Sequence, residues 1–190
     1  MPTLVDAETD ERDALLQFVA AQRGALRRAA GGLTAEQAVA RPTVSELSVA
    51  GLVKHCAEVE SNWIWGTLAG NPRRVQRDES TRADAFRLAD GESLDDVLKV
   101  YDAVAAETAG IVEALPDLDV TVPLPTAPWF PKGARRSARW ILLHLVEETA
   151  RHAGHADILR ESIDGATAFS LLPPPARPND WAGPTARKPR

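Results

Sequence analysis

The chain has 190 residues, 44% of them hydrophobic and 26% charged, the balance of one globular domain with its own core. Lys and Arg number 22 against 27 Asp and Glu, a net charge of −5 that repels phosphate backbones and argues against nucleic acid as a partner. The single cysteine, Cys56, excludes an internal disulfide. No uncharged stretch approaches the roughly 18 residues that span a bilayer, and the start is acidic where a secretory signal is basic, so the expected location is the cytoplasm, with no membrane anchor.

In chain order, the first helical segment runs from about residue 7 to Arg28, with Leu15, Val19, Gln22 and Leu26 on one stripe and Gly31 and Gly32 as its stop. A short helical turn after Thr34 leads through Pro42 into a second segment, from about Ser48 to Leu68. Ser48 is its N-cap, and Gly70, Asn71 and Pro72 close it. The third spans about Ser93 to Leu115, with Leu94, Leu98, Tyr101, Ala105, Thr108 and Val112 on one stripe and Pro116 as its end. The fourth runs from Ser137 to Asp164, with Gly165 where a left-handed C-terminal residue belongs.

Period-2 alternation is confined to the short Val120 to Leu124, so the expected class is all-α, a four-helix bundle. Two connections, Asn71 to Glu92 and Asp117 to Arg136, exceed ordinary loop lengths, and the second reads as a lid or an interface, with a disordered loop as the alternative. The second holds four prolines around Trp129 and Phe130. The bundle is expected to occupy residues 1–167. Residues 168–190 carry six of the 14 prolines and form a proline-rich tail that cannot extend a helix.

All four histidines fall in two helices, His55 in the second and His144, His152 and His155 in the fourth. At about 100° per residue, His144, His155, Glu148 and His152 occupy an arc of about 80°, within the stripe that carries Trp140, Ile141, Leu145 and Leu159. Glu147, Asp157, Arg160 and Glu161 fall on the opposite side. The polar quartet thus interrupts the stripe that faces the core, where an unpaired carboxylate costs several kcal/mol. A divalent ion compensates such a carboxylate, since imidazole and carboxylate are zinc-type ligands and residues one turn apart can share one ion. His55 lies at the border of the second helix's apolar stripe and can reach across. His55, Glu148 and His152 are therefore a candidate metal site bridging two helices, with a coordination position left open. Zinc is the expected ion, with nickel or iron as alternatives. The competing interpretations are hydrogen-bonded core histidines and a Glu148–Arg151 ion pair. Cys56 points about 100° away from His55 and reads as a small core residue. Trp63, Trp65, Trp129 and Trp140 are expected near the chemistry.

Leu52-Val53-Lys54-His55-Cys56-Ala57-Glu58-Val59-Glu60 with Trp63, followed by Glu147-Glu148-Thr149-Ala150-Arg151-His152-Ala153-Gly154-His155-Ala156-Asp157 and Arg160 to Gly165, resembles the DinB-like superfamily, above all its actinobacterial mini-circle branch. The resemblance covers about residues 7 to 167. It implies a four-helix bundle, often a homodimer, with a divalent metal between the second and fourth helices. By position, His55 and His152 match the family's outer ligands. Glu148 stands where many members have histidine, which is similar to the metal-binding domain of mycothiol-dependent maleylpyruvate isomerase. His155 takes a place often held by glutamine and is expected to back a ligand or face substrate, whereas His144 has no role in the pattern.

Members of known activity are mostly thiol-dependent transferases or isomerases. The resemblance therefore implies a metal-dependent enzyme that activates a low-molecular-weight thiol, mycothiol, for transfer to or isomerisation of a small electrophile, with His155 or Arg139 orienting the substrate. The alternative is a metal-binding or stress-response protein of the same fold without turnover. Arg135, Arg136 and Arg139, at the start of the fourth helix, read either as an anion site or as a solvated basic end paired with acidic neighbours. Arg73, Arg74 and Arg77 invite the same pair of readings.

Overall fold

The structure, a computed structural model, describes residue 5 and residues 9–127 and 130–172. The tip residue Trp129 and the proline-rich tail from residue 173 on lie outside the described residues. Helix α1 (Glu11–Ala30) starts where the Asp10 side chain accepts from the Asp13 amide. The short α2 (Ala35–Val39) opens with a Thr34–Gln37 capping box. Helix α3 (Val49–Ser61) is capped by the Ser48 side chain, α4 (Leu94–Glu113) by a Ser93–Asp96 box, and α5 (Ala138–Asp164) by Ser137. Gly165 ends α5 with φ 77°, a left-handed conformation that costs glycine nothing. The chain is an all-α bundle of the DinB-like type, as its sequence pattern leads one to expect.

The second helical segment reaches Leu68 but changes pitch on the way, because Asn62–Leu68 is a π-helical continuation of α3. The Ala69 amide donates to the Ile64 carbonyl five residues back, and the Thr67 hydroxyl takes the Asn62 carbonyl. The long 71–92 connection carries a 3₁₀ turn at Arg82–Phe86, and the 117–136 connection closes through an antiparallel pair of β1 (Thr121–Pro123) and β2 (Arg135–Ser137). No helix among the described residues is long and apolar enough to cross a membrane.

Helix α1 packs along α5, α3 along α4, and α3 also against α5. The core falls into two clusters. One gathers Leu26, Leu52, Val53, Cys56, Tyr101, Val104, Ala156 and Leu159, and the other gathers Leu15, Val19, Ile64, Leu68, Val112, Ile141, Leu142 and Leu145. A fully buried polar group is also present: Glu60 receives two guanidinium hydrogen bonds from Arg23, at 2.9 and 3.0 Å, and one from the Thr108 hydroxyl. Arg160, expected on the solvent side of α5, is buried instead. Its guanidinium donates to the carbonyls of Ala29 and Gly31 at the end of α1, at 2.9 and 2.6 Å, and pairs with Asp164. The unpaired carbonyls of a helix C-terminus attract such a cation.

Candidate metal centre

Helices α3 and α5 are in contact, and Cys56 and Ala57 of one share a buried cluster with Ala153 and Ala156 of the other. His55 reaches from α3 to Glu148 on α5, with Nε2 3.1 Å from Oε1. The same carboxylate oxygen lies 3.4 Å from Nε2 of His152. His55, Glu148 and His152 each bring a ligand atom to within 4.8 Å of the other two, with His152 buried and the other two partly so. The two imidazoles meet edge to face, centroids 4.7 Å apart.

The electrostatics follow from this convergence. Contacts with His152 and then His55 hold the Glu148 carboxyl far below the usual carboxylate range, against the opposing effect of burial, so the acid is ionised throughout the physiological range. An ionised carboxylate and two imidazole Nε2 atoms facing one another form the donor set that zinc-type ions prefer. Without a cation both Nε2 atoms must carry protons to bind the acid. With both Nε2 atoms bare, the same arrangement offers three lone pairs to one ion.

The surroundings of the two imidazoles differ. His152 Nδ1 lies 3.4 Å from His155 Nδ1, and His155 itself is exposed at the rim. His55 Nδ1 is buried and has no hydrogen-bond partner among the described residues. Against its ring lies Phe86, stacked at 4.0 Å and 19°, which also faces the His152 ring at 5.8 Å. Sequence reasoning missed Phe86, because it sits in a long connection where no helical period marks an inward position.

The remaining candidates lie elsewhere. His144 is one turn from Glu148 but stacks on Trp140 at 5.3 Å and meets Trp63 at 5.0 Å, with Glu147 3.8 Å from its Nδ1. Trp63, Trp140 and Phe130 form an aromatic group with it. Trp65 instead donates to the Pro72 carbonyl and carries the Arg74 guanidinium over its ring. Arg139 pairs with Glu11 and Asp119, about 13 Å of helix rise before Glu148. The basic start of α5 is thus paired with acidic neighbours at that position. Arg136 lies over the Trp140 ring and Arg135 donates to the Thr121 carbonyl. In the first long connection, Arg74 pairs with Glu107 and Arg77 with Glu58. Glu148 takes the two histidines rather than Arg151. Cys56 is buried, and burial pushes its thiol pKa well up, which leaves it without thiolate character.

No curated protein sequence matches the chain. Among solved structures it is similar to a conserved protein from Enterococcus faecalis, with a TM-score of 0.61 at 14% identity over 84% of this chain and all of that one, a likeness of fold. A family model described as mycothiol S-transferase matches residues 14–165. That span takes in α3, α4 and α5 whole, α1 from its second turn, and every residue of the His55, Glu148 and His152 cluster, and the chain belongs to the mycothiol S-transferase family.

Proposed function

We propose that the protein is a divalent-metal-dependent transferase in which His55, Glu148 and His152 hold one ion, most simply zinc, and which joins the thiol of mycothiol to a small electrophile. The observation that carries this reading is the sharing of one Glu148 oxygen by two imidazoles from different helices, in a group whose ligand atoms all lie within 4.8 Å. The family match supports the transferase class. Three protein donors leave room for an exogenous ligand. A bound ion there would supply a coordinated thiol as thiolate at neutral pH.

The chain's own residues do the rest. Glu148 supplies the one negative charge of the donor set and stays ionised because the two imidazoles face it. Phe86 and the aliphatic part of α3 exclude water from one side of the imidazoles. His155 takes the substrate-facing role and steadies the ring of His152, a reading supported by its exposure and by its Nδ1 lying 3.4 Å from that of His152. In the transfer, a carbon–sulfur bond forms at the electrophile, and the thiol proton leaves with the displaced group or ends on the adduct.

Elemental analysis of tag-free protein, joined to an assay of mycothiol consumption before and after chelator dialysis, tests the proposal. One ion per chain and thiol consumption that falls on chelation and returns with metal are expected. Consumption indifferent to chelation defeats it, and bound metal with no thiol consumption favours a metal-binding protein without turnover.

A further inference from the structure

A histidine that ligates a metal almost always has its second ring nitrogen hydrogen-bonded, which fixes both tautomer and ring orientation. In the candidate centre His152 has such a neighbour, the Nδ1 of His155 at 3.4 Å. His55 does not: its Nδ1 is buried and has no partner among the described residues. Its ring is nevertheless in contact with another, the stacked Phe86 at 4.0 Å and 19°.

The stack is built rather than incidental. Gly51, one turn before His55 on α3, lies so close to the 82–86 turn that a Cβ there would stand 1.9 Å from the Phe86 carbonyl oxygen. No side chain other than hydrogen permits that approach. The connection is pinned to the same helix on both sides of His55 by two ion pairs. Lys54 binds Glu92 at 2.7 Å, and Glu58 takes Arg77 in a two-point contact at 2.6 and 2.7 Å. Ala85 is buried beside Phe86. The 71–92 connection is therefore a fixed cover clamped over His55, and the ring it delivers is parallel to the imidazole.

We propose that Phe86 is a positioning residue of the metal centre: by stacking on His55 it holds Nε2 toward Glu148 and so does for this imidazole what His155 does for His152. The inference rests on the metal reading of His55, Glu148 and His152 and deepens it. A hydrogen bond would fix the ring through its edge, whereas the stack fixes it through its face, blocking one rotation and keeping Nε2 at Glu148, whose carboxylate sets the tautomer only while the ring is so held.

The test uses tag-free full-length protein stripped with chelator and titrated with zinc against a chromophoric competitor. Phe86→Tyr keeps the ring and is expected to bind zinc within about threefold of the parent. Phe86→Leu keeps apolar bulk without a ring, and Phe86→Ala keeps neither. Both are expected to weaken zinc binding about 10- to 100-fold, the range typical for groups that orient a metal ligand. Long-range imidazole proton–nitrogen spectra of the metal-free protein give a second readout, in which His55 shows one tautomer in the parent and exchange averaging in Phe86→Leu. If Phe86→Ala does not fold, Phe86→Leu decides. Parent-like zinc affinity and an unchanged His55 spectrum in Phe86→Leu overturn the proposal while leaving the metal centre standing. A parent that binds no zinc overturns both.

Discussion

Nε2 of His55 and Oε1 of Glu148 stand 3.1 Å apart although 93 residues separate them in the chain. The contact joins two helices, α3 and α5, that share one buried cluster. Cys56 and Ala57 of α3 lie in that cluster together with Ala153 and Ala156 of α5. The site is therefore a property of the helix interface and is sensitive to groups that hold the bundle together elsewhere.

The Arg23–Glu60–Thr108 group is one of these. Glu60 is 1% exposed and Arg23 retains only slight access to water, so removing the acid leaves a largely buried guanidinium without its counter-charge. Glu60→Ala is expected to cost about 3–5 kcal/mol, the range for breaking a buried ion pair by deleting one partner. Urea unfolding measures it. A loss below about 1 kcal/mol would mean that Arg23 reaches water in the variant.

Asp157 gives a pH-dependent prediction of the opposite sign. Burial raises its carboxyl pKa above the ordinary value, only partly opposed by Arg28 and reinforced by Glu161. A carboxyl with a raised folded-state pKa favours the fold when protonated and loses that contribution as pH rises through the folded value. Asp157→Asn is therefore expected to unfold at higher urea than the parent at pH 7, with the gain shrinking as pH is lowered toward 4. A gain that grows on acidification contradicts the assignment.

Gly51→Ala separates the cover from the bundle. The added methyl collides with the backbone of Phe86 rather than with a movable side chain end, so the 71–92 connection must shift. The expected cost is about 1–3 kcal/mol, as for other overpacked sites. Faster amide hydrogen exchange is expected in residues 82–92, with the amides of α5 unchanged. Exchange that accelerates equally along α5 would show that the cover and the bundle open as one unit.

The pattern of what the sequence showed has a physical basis. Ser48, Ser93 and Ser137 cap their helices through their own side chains, and Gly165 ends α5 with positive φ, so these boundaries were written in single residues. The clustering of His144, Glu148, His152 and His155 on one face was equally local, a matter of spacing along one helix. Arg160 escaped because a helical wheel gives directions relative to its own helix, while the carbonyls of Ala29 and Gly31 that bury it come from α1. The pitch change at Asn62 escaped because a 3.6-residue period cannot distinguish a π-helical continuation over seven residues. β2 has two arginines in three residues and acquires its extended form from pairing with β1. Phe86 is the most consequential omission, since only the approach of the 82–86 turn to Gly51 brings it onto His55.

A metal bound between α3 and α5 couples the site to the fold. A ligand that binds only the folded chain stabilises it by about 2.7 kcal/mol at a hundredfold excess over its dissociation constant. For a chain of this length each kcal/mol moves the melting temperature by roughly 2–4 °C, so zinc is expected to raise the parent's Tm by about 5–10 °C. Glu148→Gln preserves the size and shape of the side chain and one acceptor oxygen but removes the charge that faces both imidazoles. That variant is expected to show no zinc-dependent shift, and His152→Ala, which deletes a buried donor, likewise. His144→Ala is the control, because this histidine stacks on Trp140 outside the cluster and its loss leaves the three donors in place. Calorimetric scans with and without zinc distinguish the cases: a shift that survives in Glu148→Gln, or disappears in His144→Ala, would place the ion somewhere other than between α3 and α5.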